Sequence, residues 1–592
     1  MAEVLRRRTE AAPDETHLHL WQDNDQIEPL TYSELLHGAA AVARGLRACG
    51  LRSGETAAIM LPTGRDFFFS FLGVWLAGGI PVPIYPPFRA DKLEEYARRQ
   101  SAILHNAQAR VLITFRQVER LARLLKPRVP SLLAVVTAER LPHRQGPKQT
   151  DGRSLPAAEE LTQSPSLDDV ALIQYTSGST GEPRGVALTH RNLLANLRAI
   201  GHGVQVRPDD VTICWLPLYH DMGLIGCWLF SLYFGLPITV LSPLAFLRRP
   251  ERWLRAIHRH RGTLSPAPNF AYELCARKID DRALEGLDLS SWRVALNGAE
   301  PVSADTIARF TRRFALYGFR PEAMMPVYGL AESSVALTFA PLERPPRVHA
   351  VARDVFQRHR RAEPASESEA EPLRFVSVGR PLPEHEVRVV DDADRPVGEG
   401  VEGHLQFRGP SAMQGYYRNA EATAAALTAD GWYRTGDLAY CADGEIFITG
   451  RTKDLIIKAG RNIYPQEIEE VASDVAGIRR GCVVAFAVPD PRNGTDALVL
   501  VAETRETDPA VQARLATEVK RLVGTRCQVS PEVVHLVPPQ VVPKTPSGKI
   551  RRAACREMYL QDALNASKTP VWLQVARLLA GNTLAQLKKR IS

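Results

Sequence analysis

The sequence predicts an α/β protein, a large N-terminal domain of layered sheets flanked by helices followed by a smaller α+β C-terminal domain. Three observations predict it. Short apolar strands alternate with amphipathic helices through the first half of the chain. The 592 residues exceed what one hydrophobic core fills. From about residue 456 the texture changes to a compact unit with alternating strands at 482–488 and 498–503 and a helix around 511–523.

Residues 57–61 are apolar and read as a strand; after Pro62-Thr63-Gly64, Phe68, Phe71, Leu72 and Trp75 recur at helical spacing, and Gly78-Gly79 stops that helix before a second strand at 80–84. Apolar runs at 111–115, 132–137 and 170–175 extend the pattern, and Thr189 is placed to cap a helix carrying Leu193, Leu194, Leu197 and Ile200. Residues 343–374 carry a basic half and then an acidic half, broken by Pro and Ser, and read as an irregular surface insertion. The tail, 561–592, offers Leu573, Val575, Leu578 and Leu579 for an amphipathic helix.

Composition narrows the class. Hydrophobic residues at 45 % and charged residues at 24 % exclude disordered and collagen-like chains. A formal charge of +8, from 74 basic and 66 acidic side chains, suits anionic ligands without singling out nucleic acid. The eight cysteines lie far apart with no C-x-x-C pair, which reads as thiols in a reducing, cytoplasmic setting. The first residues, MAEVLRRRTEAAPDE, lack the apolar run of a secretory signal. The apolar stretches 71–87 and 211–247 are interrupted by Gly, Pro, His220 and Asp221, so no membrane span is expected.

The strongest chemical signal is Tyr175-Thr-Ser-Gly-Ser-Thr-Gly-Glu-Pro-Arg-Gly185, directly after an apolar strand. Its glycines let backbone approach an anion, and the hydroxyls of Thr176, Ser177, Ser179 and Thr180 can cradle phosphate oxygens. It lacks the Lys-Ser/Thr ending of a Walker loop, since Val186-Ala187-Leu188 follow Gly185. On composition alone, a plain Gly/Ser-rich turn is the competing reading.

This loop has companions: Trp215-Leu-Pro-Leu-Tyr-His-Asp-Met-Gly223, Asn297-Gly-Ala-Glu-Pro301, Tyr328-Gly-Leu-Ala-Glu332, Tyr433-Arg-Thr-Gly-Asp437, Gly450-Arg-Thr-Lys-Asp-Leu-Ile-Ile457 and Pro543-Lys-Thr-Pro-Ser-Gly-Lys549. Together they resemble the adenylate-forming superfamily of acyl-CoA synthetases, luciferases and nonribosomal adenylation domains, from about residue 10 to 560. The resemblance implies a large domain over 1–450, a hinge at 451–455 with Lys453 at its pivot, a small mobile domain over 456–560, and ATP with Mg²⁺ as cofactors. It implies phosphate contacts from Thr176, Ser177, Gly178, Ser179, Thr180, Gly181 and Arg184, and an adenine site of Gly298, Ala299, Glu300, Tyr328, Gly329, Leu330 and Ala331. Asp437 and Arg451 would serve the ribose, Thr176 and Glu332 the Mg²⁺ ion. Lys549 would be the main catalytic residue, an ammonium set between two anions that must meet. His220 would orient the substrate carboxylate. Taken singly, Glu332 and Lys549 read as solvated surface charges and His220 as a satisfied core histidine.

Two positions depart from the pattern. Arg184 stands where the family usually has Lys, and Ala331 where it commonly has Thr, leaving Ser333 or Ser334 as substitute hydroxyls. Within the superfamily the closest resemblance is to fatty acyl-AMP ligases, carried by residues 61–64, 77–87, the Tyr328-Gly-Leu-Ala-Glu332 variant, Gly460-Arg-Asn-Ile-Tyr-Pro-Gln466 and an extra segment at 343–374. That implies fatty acid activation to fatty acyl-AMP and transfer to the phosphopantetheine of a separate acyl carrier protein, the insertion hindering use of CoA. An acyl-CoA synthetase is the alternative in the same class, and a catalytically silent acyl- or nucleotide-binding regulator the alternative from another.

Overall fold

Strand Thr56–Ile59, buried at every position, leads through helix Arg65–Leu76 to strand Ile80–Pro83, and the two strands pair in parallel with Thr56 opposite Ile80. Gly78 ends the helix at φ 80°, a left-handed conformation that glycine adopts without a Cβ penalty. Val111–Thr114 and Ala134–Thr137 complete a four-stranded, all-parallel sheet. The computed structural model describes residues 1–87, 92–144, 165–176, 183–490, 495–545, 548–564 and Gln574.

A second sheet has nine strands. Six run parallel in the order Met324–Tyr328, Val294–Gly298, Leu264–Pro268, Thr212–Cys214, Ile238–Leu241, Thr16–Trp21. Antiparallel strands close both edges. The carboxyl ends of its central strands release the segments beginning at Trp215, Ala299 and Gly329, so three of the seven motifs emerge at one rim, where open α/β sheets bind ligands. Phe68 meets Trp228 edge to face at 4.7 Å, joining the helix of the small sheet to the segment Leu224–Leu229 of the large one. Helix His190–Gly203 starts at Thr189 with a reciprocal capping box to Asn192.

Beyond residue 456, strands Ile478–Asp490 and Thr495–Thr504 pair antiparallel, and Val533–Val537 adds in parallel. The period of two sorts their side chains. Val483, Ala485, Leu498 and Leu500 pack with Val519 and Val523 of helix Pro509–Cys527, while Val484, Phe486, Val499 and Val501 pack with Cys555 of helix Arg552–Leu560.

The segment 343–374 departs from the irregular surface insertion expected of it. Strands Val348–Val351 and Leu373–Val376 pair, and helix Arg353–His359 lies between them. Val351, Phe356 and Leu373 form one apolar cluster with Tyr440, Phe447 and Tyr464. Arg353, though charged, is buried: its Nη2 bonds to Glu467 at 2.5 Å and its Nε donates to the Glu371 carbonyl at 2.7 Å. Asn462 donates to the Gln357 carbonyl at 3.0 Å. The insertion is thus a packed element fastened to residues 461–467. Of the tail, residues 561–564 and Gln574 are described; Leu573, Val575, Leu578 and Leu579 lie outside the described residues. No helix among the described residues is long and apolar enough to cross a membrane.

Candidate active site

The predicted phosphate loop joins two antiparallel strands, Val170–Thr176 and Arg184–Thr189, with Thr176 opposite Arg184. Both of these residues line a large cleft. Ser177, Gly178, Ser179, Thr180 and Gly181 lie outside the described residues. The Arg184 guanidinium sits 5.2 Å over the ring of Tyr416, whose hydroxyl donates to Glu332 Oε1 at 2.8 Å. Tyr416 is a site residue that sequence reasoning missed. It is held there by pairing of Gly415–Tyr416 with the strand after the loop, and Gly415-Tyr416-Tyr417 was the one aromatic signal that pointed to it.

The next wall is built from the ends of two parallel strands. Gly298 closes one of them, where a Cβ would stand 2.7 Å from the Val327 carbonyl oxygen, and Ala299 turns the chain at φ 66°. The turn aims Glu300 back at the sheet, where its Oε1 accepts from the Phe270 N–H at 2.5 Å. Burial raises the Glu300 carboxyl above its ordinary range, partly offset by Phe270, Lys549 and Lys544. Tyr328 ends the adjacent strand, and Gly329, Leu330, Ala331 and Glu332 follow along the cleft. A Cβ on Gly329 would lie 1.8 Å from the Val335 carbonyl oxygen, a backbone atom that cannot swing aside. Gly329→Ala is expected to cost about 1–3 kcal/mol of stability, read from the urea midpoint, together with nucleotide affinity, read by calorimetry.

Ser333 requires a correction. Its hydroxyl is buried and donates to the Ala336 carbonyl at 3.1 Å, and Ser334 donates to the Ser411 carbonyl at 2.9 Å. Ser333 is held by its own turn and Ser334 by the segment at Ser411, and neither lines the cleft, so neither stands where the missing threonine hydroxyl would be.

The third wall gathers charge. Asp437, in strand Tyr433–Ala442, accepts the Tyr328 hydroxyl on Oδ2 at 2.6 Å and pairs through Oδ1 with Arg451 Nε at 3.1 Å. Lys453 lines the cleft beyond Arg451. His220 Nδ1 lies 2.7 Å from Asp221 Oδ1. Burial alone would raise the Asp221 carboxyl, but His220 and then Lys549 outweigh it and hold it below its usual range. Lys549 enters from residues 543–551 and sits half-buried; burial lowers its ammonium pKa, Asp221, Glu300 and Asp437 raise it, and Arg451 adds to the lowering. One lysine therefore shares a cleft with three carboxylates contributed by three separate motifs.

The cleft measures about 2910 Å³, larger than a drug-sized pocket and roomy enough for a nucleotide beside a second substrate. Its apolar side includes Ile200, Val204, Phe230, Leu264, Val335 and Phe339. Burial raises the Glu332 carboxyl and Asp221 adds to the rise, while Tyr416 opposes it. Among the described residues no group of three or more His, Cys, Asp or Glu side chains is arranged to hold a metal. A single carboxylate with a hydroxyl fits an octahedral ion that takes its remaining oxygens from phosphates and water, the habit of Mg²⁺.

A family model described as AMP-binding enzyme matches residues 5–417. A protein of Caulobacter vibrioides (strain NA1000 / CB15N) named "Putative acyl-CoA synthetase" is 37 % identical over 554 residues, covering 93 % of this chain and 94 % of its own. The medium-chain-fatty-acid–[acyl-carrier-protein] ligase JamA of Moorena producens (strain JHB) is 35 % identical over 563 residues, 91 % of each chain. A solved structure from studies of fatty acyl-adenylate ligases of E. coli and L. pneumophila superposes with a TM-score of 0.85 at 34 % identity, covering 95 % of this chain and 97 % of the other.

Proposed function

Because this chain belongs to the AMP-binding enzyme family, we propose that it joins a fatty acid to AMP at the expense of ATP and then passes the acyl group to the phosphopantetheine thiol of a separate acyl carrier protein. It is an enzyme of the fatty acyl-AMP ligase type. The observation that carries the reading is that Lys549, Asp221, Glu300 and Asp437 line one cleft with Glu332 and Arg184.

In this reading the hairpin at 176–184 holds the ATP phosphates, with Arg184 steadied on Tyr416. Gly298, Ala299, Glu300 and residues 328–331 receive the adenine, and Asp437 with Arg451 the ribose. Bound nucleotide hydroxyls then take over the lone pairs that Asp437 gives to Tyr328 and Arg451. His220 orients the acyl carboxylate from the apolar arm. Thr176 and Glu332 hold Mg²⁺, which supplies charge neutralisation on the phosphates. A carboxylate oxygen bonds to the α-phosphorus, the bond to the β-phosphate oxygen breaks, and pyrophosphate leaves. Lys549 neutralises the negative charge as the two anions converge. Residues 1–450 act as the large domain and 456–560 as the small one; rotation at 451–455 about Lys453 withdraws Lys549 and admits the thiol, which attacks the acyl carbon as AMP departs.

Following pyrophosphate and AMP release from ATP with fatty acids of graded length as co-substrates, and with CoA and holo-carrier protein offered as alternative acceptors, tests the proposal. Failure of every acid tested to elicit pyrophosphate release would overturn it in favour of a silent binding protein. The CoA reading is kept by the Caulobacter relative; the acyl-carrier reading is supported by JamA and by the insertion. Since 348–376 is packed into an apolar cluster, excising it would unfold its surroundings. Arg461 Nη2 donates to Gln357 Oε1, so Arg353→Ala combined with Gln357→Ala removes two side-chain ties to residues 461–467 and is expected to raise CoA thioester formation relative to carrier acylation. An unchanged ratio in the folded variant would remove the insertion from acceptor choice.

A further inference from the structure

The described residues on either side of 546–547, in the segment that presents Lys549, are tied to one another. Thr545 N–H donates to the Lys549 carbonyl at 2.7 Å, Lys549 N–H to Thr545 Oγ1 at 3.0 Å, and Arg551 N–H to the Pro543 carbonyl at 2.9 Å. The two arginines at its exit face opposite ways. Arg552 turns inward, pairing with Asp454 and, at 2.8 Å, with Glu469, and its Nε donates to the Ala485 carbonyl at 3.0 Å. Arg551 reaches out to helix Leu93–Asn106, where its Nη1 meets Glu95 Oε1 at 2.6 Å.

That helix begins without a side-chain cap on its N-cap residue, Lys92. One of its orphan donors, the Glu94 N–H, is instead taken by Gln574 Oε1 at 3.2 Å, from a residue beyond that segment and itself buried. The first turn of one helix thus receives the C-terminal part of the chain twice, 480 and 456 residues away in sequence.

We propose that Glu95 is a positioning residue for Lys549, the Glu95–Arg551 pair clasping that segment against the large domain for adenylate formation and opening for thiol transfer. This rests on the role given to Lys549 above. Arg551 is two residues from Lys549, a span of at most about 7 Å, so the clasp fixes the lysine through a short, hydrogen-bonded strut, and small displacements of a reacting group are costly. The pair is half-exposed, at 42 % for Glu95 and 27 % for Arg551, which keeps it weak enough to break in every turnover. Once Arg551 leaves, Glu95 still faces Arg99, one turn along the same helix and beside Tyr85, as well as Lys92 and Arg98. Opening therefore leaves no bare carboxylate.

The test uses the full chain carrying Glu95→Gln, Glu95→Arg, or Glu95→Arg with Arg551→Glu. Adenylation is followed as pyrophosphate release, and transfer as acylation of holo-carrier protein from supplied acyl-AMP. Adenylation kcat is expected to fall about threefold in Glu95→Gln and about tenfold in Glu95→Arg, with KM for ATP and fatty acid within about twofold, transfer retained, and most of the loss restored by the charge swap. Equal loss of both half-reactions, no loss in either single variant, or no rescue by the swap would overturn the clasp. If Glu95→Arg melts below the wild type, Glu95→Gln decides. Absence of pyrophosphate release in the wild type would overturn the underlying reading instead.

Discussion

Lys549→Ala lowers acyl-AMP formation by about 10²–10³-fold and leaves acyl transfer from supplied acyl-AMP near the wild-type rate. The two reactions separate because the ammonium neutralises charge only while carboxylate and α-phosphate converge. Thiol attack on the finished anhydride brings no second anion to that point. Single-turnover measurement of each half-reaction checks the result, and an equal fall in both would refute the assignment. The lysine also sets a pH limit. Burial lowers its ammonium pKa, so the charged, active form is lost as pH rises through a value below the ordinary ~10.4 of lysine. Adenylation should fall on that alkaline limb, and Lys549→Arg should move the limb upward, since guanidinium stays charged.

Glu332→Gln is expected to cost about 10²-fold in adenylation at low Mg²⁺, with partial recovery as Mg²⁺ is raised, and EDTA should silence the wild type. The amide keeps the Tyr416 hydrogen bond that Glu332 makes at 2.8 Å, so the variant tests charge rather than packing. A Mg²⁺ titration of pyrophosphate release checks it; an unaltered Mg²⁺ dependence would remove Glu332 from the metal.

Much of this could be read from the chain alone, for a physical reason. Parallel strands buried on both faces leave apolar runs such as Val111–Thr114, and residues that emerge from strand ends, such as Glu300 and Glu332, stay inside short contiguous motifs. What stayed hidden depended on pairings across long stretches of sequence. Tyr416 reaches Glu332 only because Gly415–Tyr416 adds to the strand after the phosphate loop. The insertion looked irregular because its few anchors, Val351, Phe356 and Leu373, are spread among charges. Its buried Arg353 is paired with Glu467, more than a hundred residues away. Ser333 was misjudged because its spacing from Glu332 carries no sign of the turn that claims its hydroxyl.

Arg551 and Arg552 stand side by side yet serve opposite masters, one gripping a neighbouring body and the other its own interior. Adjacent side chains leave the backbone in different directions, so the number of residues between Lys549 and Arg551 is as constrained as their chemistry. Dropping or adding one would turn the inward guanidinium outward and carry the lysine tip off its mark. Position along this stretch therefore matters as much as identity.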